Sequence, residues 1–323
     1  MINAWILFHS DPSNAEHESE ECTRLLEEGY KLGVSFKILD QSQFELLVDD
    51  KGLWQAYYNG QKLEEPEFIL VRSGAETNYA GFAVLRFYEQ LGVPLYNPRR
   101  AIERSADKLY AQKILGTAGI AMPKSLLGRC PPDIDLVERE LGFPVVLKVL
   151  NGTCGQGIML ANDREQLRDV MGLLAQTGGD IRILFQQYIT ASHGRDLRVL
   201  VTGGKVQGCM ERRSTGGFKS NVSLGGVGSE HPVTSEIEKL ALAAASALEL
   251  DVAGVDLLMD ENGYKVCEVN SAPGFTGEGG MEAACRLNVA KLIIEAALAQ
   301  HRRSRGKTMW GRLRGLFETG VAA

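Results

Sequence analysis

The chain of 323 residues is long enough for two or three fused lobes. Hydrophobic residues make up 44% and charged residues 24%, a globular composition that excludes extensive disorder. Lysine and arginine number 35 against 41 aspartate and glutamate, a net charge of -6 that excludes a global attraction to nucleic acid or anionic lipid, so any anion must be met locally.

Met1 to His9 has no basic segment before its apolar run, and no run approaches the length of a membrane span. Six scattered cysteines without a Cys-x-x-Cys pair read as reduced thiols, and a cytoplasmic location is expected. Trp5 to Phe8 reads as a strand, and Cys22, Leu25, Leu26 and Tyr30 share one face of a following helix. Val34, Phe36 and Ile38 alternate as a second strand, Phe68 to Val71 reads as a third, and Tyr79 to Leu91 as a helix ended by Gly92 and Pro94. This alternation predicts a parallel α/β lobe over residues 1–100.

A second lobe is expected over 101–180, with a helix capped at Ser105 and running to about Ala118, a strand Val145 to Leu150, a glycine-rich loop, a strand Ile158 to Ala161 and a helix Asp163 to Gln176. Strands dominate a third lobe over 181–303, around a Gly203-Gly204 turn and a later hairpin, with a helix Ser235 to Leu248. Residues 304–323 form a basic tail with apolar residues at helical spacing, suited either to packing on the protein itself or to an acidic partner.

The most informative stretch runs from Val252 to Asn270. If Glu261, Asn262 and Gly263 make a three-residue hairpin loop, Asp256 lies across from Glu268, and Asn270 shares their face. Opposed carboxylates raise each other's pKa unless a cation sits between them, and few hard oxygen ligands suit Mg²⁺ better than Ca²⁺ or Zn²⁺. A solvated polar face is the plain alternative. Lys148 stands inside the apolar strand before Gly152, Thr153, Cys154, Gly155 and Gly157, whose backbone N–H groups can close around phosphate oxygens. The loop is neither a Walker loop nor a dinucleotide fingerprint. Lys108 opens a helix within reach of a phosphate, and Arg198, Arg212 and Arg213 alternate on strands in a way that suits transferring phosphoryl charge, or a solvated ion-pair ladder.

In this order the motifs resemble the ATP-grasp superfamily, and specifically the RimK-type glutamate ligases. The resemblance rests on Asp107-Lys108-Leu109, Val146-Leu147-Lys148, Gly152-Thr153 with Gly155 and Gly157, Gln187-Tyr188-Ile189, and Asp196-Leu197-Arg198. It continues through Glu211-Arg212-Arg213, Phe218-Lys219-Ser220-Asn221, Val252 to Asp256, and Glu268 to Gly274. It implies an ATP-grasp fold preceded by a parallel α/β lobe. Lys108 and Lys148 would contact ATP phosphates, Gln187 and Tyr188 would lie at the adenine hinge, and Asp196, Lys219, Ser220 and Asn221 would line the nucleotide side. Asp256, Glu268 and Asn270 would hold two Mg²⁺, with Mn²⁺ as a substitute. Two positions depart from the family pattern: Gln187 replaces a glutamate at the hinge, and Cys154 enters the glycine-rich loop.

The activity implied is ATP-dependent joining of an amino acid, with glutamate favoured, to a carboxylate of a protein, peptide or small-molecule acceptor through an acylphosphate, with Arg212 or Arg213 stabilising the oxyanion. A homo-oligomer is expected. The competing readings are a small-molecule ligase making a dipeptide or tagged metabolite, and a non-catalytic nucleotide-binding regulator; retention of Asp256, Glu268 and Asn270 argues against the second.

Overall fold

The computed structural model describes the backbone of residues 1–9, 16–149, 157–176, 181–220 and 225–318, and the side chains of these except 16–19 and 304–318. The chain divides into two compact units. One holds Met1–Ser73, Thr77–Arg99 and the segment from Asn288; the other holds Gly74–Glu76 and Arg100–Leu287.

The first unit opens with β1 (Ile2–Phe8), α1 (Glu16–Lys31) and β2 (Val34–Asp40). A small antiparallel sheet of β3 (Phe44–Val48), β4 (Trp54–Tyr58) and β5 (Gln61–Lys62) follows, unannounced by the sequence, and then β6 (Phe68–Val71), α2 (Tyr79–Gln90) and β7 (Leu95–Tyr96). The larger sheet runs β2-β1-β6-β7 with every pair parallel. Ala4 to Phe8 and Phe68 to Val71 are buried without interruption, as expected of inner strands of a parallel sheet covered on both faces. Arg72, at the end of β6, is buried against Glu21 of α1 at 2.7 Å.

The second unit begins where the expected single helix from Ser105 is in fact two, α3 (Arg99–Ala106) and α4 (Lys108–Thr117). Asp107 breaks it: its backbone is extended and its carboxylate accepts from the Tyr110 N–H at 2.9 Å, making Asp107 the cap. Ser105 instead bonds back to the Ile102 carbonyl inside the last turn of α3. Next come β8 (Ser125–Arg129), α5 (Ile134–Leu141), β9 (Val145–Val149), β10 (Ile158–Ala161), α6 (Arg164–Gln176) and β11 (Arg182–Gln187). They form an antiparallel sheet, β10-β9-β11-β8, whose core includes Val145, Leu147, Phe185, Val137 and Leu167.

A five-stranded antiparallel sheet completes this unit. It uses β12 (Arg195–Thr202), β13 (Lys205–Arg213), β14 (Val227–Glu230), then, beyond α7 (Ser235–Ala247), β15 (Val252–Asp260) and β16 (Gly263–Asn270), in the order β14-β13-β12-β15-β16. One face is apolar: Leu197, Val199, Val255, Leu257 and Val266 pack in one core with Ile237, Ala241 and Ala244 of α7 and Ala111 and Leu115 of α4. The alternate residues of the same strands are therefore turned to the opposite face.

After the short α8 (Met281–Cys285), α9 (Val289–Glu318) groups with the first unit rather than with the lobe beginning at Ile181. Val289, Ala290, Ile293, Ile294, Ala297 and Leu298 form a buried stripe at i, i+4 spacing, each Val or Ile contributing about 1.5–3 kcal/mol of burial. His301 ends that stripe, buried against the Phe68 ring. The helix continues to Glu318, so the start of the basic tail is its last turns; the side chains from 304 lie outside the described residues.

Candidate active site

Period-two alternation places Asp196 and Arg198 of β12 on one face, and register brings Arg212 of β13 opposite Asp196 and Asp256 of β15 opposite Arg198. The side chains form a ladder of alternating charge. Arg212 donates to both Asp196 oxygens, at 2.8 Å from Nε and 2.5 Å from Nη2, and Nη2 also lies 2.9 Å from Asp256 Oδ2. Arg198 donates to Asp256 Oδ1 from Nε and to Oδ2 from Nη2, both at 2.8 Å. Burying isolated charges costs several kcal/mol each; paired forks of this geometry offset most of that cost.

The two aspartates answer differently to their surroundings. Burial raises the Asp256 carboxyl, but Arg198 and Arg212 together outweigh it and hold the group well below the usual carboxylate range. Burial also raises the Asp196 carboxyl, and there it prevails over Arg212, with the nearby Asp256 charge adding to it. The fork to a guanidinium that does not deprotonate nonetheless favours the ionised Asp196 in the folded protein.

Asp256 pairs with Glu268, and Gly254 with Asn270, as the hairpin pattern predicts, although by another route. The turn has two residues rather than three, Asp260 pairing with Gly263, and a bulge at Cys267 restores the register between Asp256 and Leu257. Gly254 allows a close approach: an added Cβ would clash with the Pro273 side chain at 2.6 Å and lie 3.7 Å from Arg198 Nε.

The bulge joins this face to a cleft lined by Lys108 and Gln112 of α4, Lys148 of β9, Leu184 of β11, and Cys267 and Glu268 of β16. Lys148 sits in register with Leu184 and Ile158 and alternates with Val145 and Leu147, which enter the core. It is 7% exposed and donates to Cys267 Sγ at 3.5 Å. Burial lowers the Lys148 ammonium, but the neighbouring Cys267, Glu268 and Asp256 raise it above an ordinary lysine. Burial raises the Cys267 thiol against the pull of Lys148, so it stays protonated, donating to Gln186 Oε1 at 3.8 Å. Gln186 in turn donates to Ser125 Oγ at 3.0 Å. Cys267 and Gln186 are site residues that sequence reasoning missed. For Gln186 a signal existed, since it alternates with Leu184; for Cys267 none did, because a bulge is invisible to a period-two pattern.

The other expected residues divide. Gln187 bonds Lys124 through both backbone and side chain, and the Tyr188 hydroxyl bonds His193 Nδ1. Lys219 Nζ lies 6.0 Å from the Phe218 ring, and Ser220 is buried. Gly157 has φ 70°, and its carbonyl accepts from Val149 N–H, joining the two ends of the glycine-rich segment. Gly152, Thr153, Cys154, Gly155 and Asn221 lie outside the described residues. Arg213 is not brought to the carboxylate face. Its side chain is 60% exposed and pairs with Glu211 at 2.9 Å, because it follows Arg212 by one residue on the strand.

The donor set tolerates a divalent metal. Asp256, Glu268 and Asn270 offer two carboxylates and an amide, hard oxygen donors of the kind Mg²⁺ takes, with the Asp256 carboxylate held ionised by its arginines. Two carboxylates and one amide are too few donors to fill an octahedral Mg²⁺ shell, so a cation held by this trio would keep sites for water and phosphate.

A sheet bearing a buried lysine beside a sheet with a carboxylate face, after a parallel α/β lobe, defines a protein of the ATP-grasp class. The chain matches the RimK-like ATP-grasp domain over residues 105–297 and the RimK PreATP-grasp domain over 14–102. It is 38% identical over 291 residues to a probable alpha-L-glutamate ligase of Aliivibrio fischeri (strain MJ11), covering 88% of this chain and 95% of that protein. Its fold is similar to that of D-alanine--D-alanine ligase from Bacillus anthracis (TM-score 0.70, 19% identity, 94% of this chain and 99% of that one). It is also similar to the ATP-grasp ligase PsnB, solved with a phosphomimetic variant of a minimal precursor, Mg and ADP (TM-score 0.67, 19% identity, 93% and 99%). The chain belongs to the RimK-like ATP-grasp family and is an ATP-dependent ligase of that class.

Proposed function

We propose that the chain joins glutamate to a carboxylate of an acceptor, with ATP as the energy source and release of ADP and phosphate. The observation that carries this reading is the convergence of Lys108, Lys148 and Glu268 on one cleft, with Asp256 paired across the hairpin to Glu268. Glutamate as the amine follows from relatives described as probable alpha-L-glutamate ligases.

In this reading Lys108 and Lys148 bind the nucleotide's phosphates, and Lys148 exchanges its contact with Cys267 for a phosphate oxygen. Gln187 and Tyr188 hold the adenine, and Asp196, Lys219, Ser220 and Asn221 line the nucleotide side with Gly152, Thr153, Gly155 and Gly157. Asp256, Glu268 and Asn270 would hold Mg²⁺, which when bound polarises the transferring phosphoryl group. Arg198 and Arg212, on the face of those acids, keep Asp256 ionised and neutralise charge on the acylphosphate and on the oxyanion formed when the amine attacks. Residues 1–100, 101–180 and 181–287 then act as the preceding lobe, the lysine-bearing lobe and the metal-bearing lobe.

Purified protein supplied with ATP, Mg²⁺, isotope-labelled glutamate and a panel of peptide and small carboxylates tests the reading. ADP release together with a product one glutamyl residue heavier is expected. ADP release with a different amino acid in the product would replace glutamate, and absence of ATP turnover across the panel would overturn the ligase assignment.

A further inference from the structure

A second basic cleft lies outside the lysine site. It is lined by His193, Arg195 and Arg213 and by the turn Ser214 to Gly217. Arg195 and Arg213 are register partners on β12 and β13, one residue away from Asp196 and Arg212 and therefore on the opposite parity. The two guanidinium groups share one carboxylate: Glu211 Oε1 is 2.9 Å from Arg213 Nη2 and 4.0 Å from Arg195 Nη1. Among the described residues two guanidinium groups here thus meet one carboxylate, on a chain whose net charge is -6; His193 is engaged by Tyr188, and His231 Nδ1 lies 3.9 Å from Glu211.

The cleft is also built rather than incidental. Arg195 is fixed by two bonds to the Ala191 carbonyl, at 3.2 Å from Nε and 3.1 Å from Nη2. Ser214 N–H donates to the Gly194 carbonyl at 2.8 Å, and Gly194, at φ 65°, lies so close to the turn that an added Cβ would be 2.6 Å from the Gly217 carbonyl. Only glycine combines that backbone with that approach.

We propose that this cleft is a subsite for side-chain carboxylates of an acidic peptide acceptor, an inference that rests on the ligase reading above. The lysine cleft answers for the nucleotide's charge, and a carboxylate-amine ligase must hold at least one further anion. A net charge of -6 repels an acidic peptide in general, so a local cationic seat is what such an acceptor requires.

The test uses the full chain and fluorescein-labelled tetraglutamate, with labelled tetraglutamine as the uncharged comparison, followed by fluorescence anisotropy at low salt. Wild type is expected to prefer the acidic peptide. The double variant Arg195→Gln/Arg213→Gln should bind it at least about fivefold more weakly, losing the preference, while ATP affinity stays within about twofold. Gly194→Ala keeps both charges and should also weaken peptide binding, because the turn must shift. Equal binding of the two peptides by wild type, or identical curves for wild type and double variant, overturns the subsite. ATP-dependent glutamylation of the same peptide is followed in parallel. Arginine-dependent binding without amide formation removes the ligase reading and leaves the cleft, whereas amide formation with an acceptor KM unchanged in the double variant removes the cleft and leaves the ligase.

Discussion

The parallel sheet of the first unit and the five-stranded sheet of the second bury charge in different ways. In the first, β1 from Ala4 onward and all of β6 are apolar and buried, and the buried charge at the end of β6 is Arg72, met by Glu21 from a helix. In the second, only one face is apolar; the other carries Asp196, Arg212, Asp256 and Arg198 in one connected ladder, with Glu268 across from Asp256. A sheet covered on both faces has room for charge only at its strand ends, where a pair holds elements together. A sheet covered on one face can assemble charges from neighbouring strands, and that is where ligand chemistry collects.

The sharpest way to break the comparison is to neutralise one acid at a time. Asp256→Asn and Glu268→Gln should each lower turnover at least about 100-fold, the scale of losing roughly 3 kcal/mol of transition-state charge stabilisation. Stability should separate them: Asp256→Asn takes the carboxylate partner from the half-buried Arg198 and one of two from the buried Arg212, and should cost about 3 kcal/mol in urea unfolding, whereas Glu268→Gln should cost little. Near-normal ADP release in both variants would remove the site assignment. The stability gap has a pH signature. The Asp256 carboxyl is depressed in the folded protein from 3.8 to about 2, so its contribution is complete above the unfolded value and is lost as pH falls through that window. The gap between wild type and Asp256→Asn should therefore hold at neutral pH and close between about pH 4 and pH 2.

Glu21→Gln is the corresponding change in the first unit. It should destabilise the protein by about 3 kcal/mol, for the same reason that breaking any buried pair does, yet leave ATP affinity and turnover of the folded protein unchanged. A catalytic loss with intact stability would mean that this unit's buried charge is functional too.

Position rather than charge should decide nucleotide binding. Lys148→Met should weaken ATP at least about tenfold by calorimetry, given roughly 1.5–3 kcal/mol for a hydrogen bond to a charged group. Lys205→Met, at an exposed hairpin end beside Gly203 and Gly204, should change nothing; equal losses would reduce Lys148 to a general electrostatic effect. The smallest effect is expected from Asp107→Ala, about 1 kcal/mol of helix stability, with ATP binding weakened modestly because Lys108 starts the helix that Asp107 caps.

Much of this is legible in the sequence alone, because side-chain period is a local property. Alternation in Val34 to Ile38 and the unbroken run at Phe68 to Val71 marked strands of the parallel lobe, and the spacing of Asp256, Glu268 and Asn270 put them on one face of a hairpin. What local pattern could not decide was register, and both hairpins of the five-stranded sheet show why. In each, a two-residue turn is followed by a single bulged residue, Gln207 in one and Cys267 in the other. Continued without its bulge, the Gly203-Gly204 hairpin would set Asp196 against Glu211 and turn Arg213 toward the acids; with it, Asp196 meets Arg212, and Arg213 belongs to the other cleft. The split of one expected helix at Asp107 and the grouping of α9 with the first unit are of the same kind. Composition and periodicity determined which residues carry charge and which elements they lie on. Only tertiary structure decided which charges meet, since a one-residue slip changes every partner and is settled by the packing of the whole sheet.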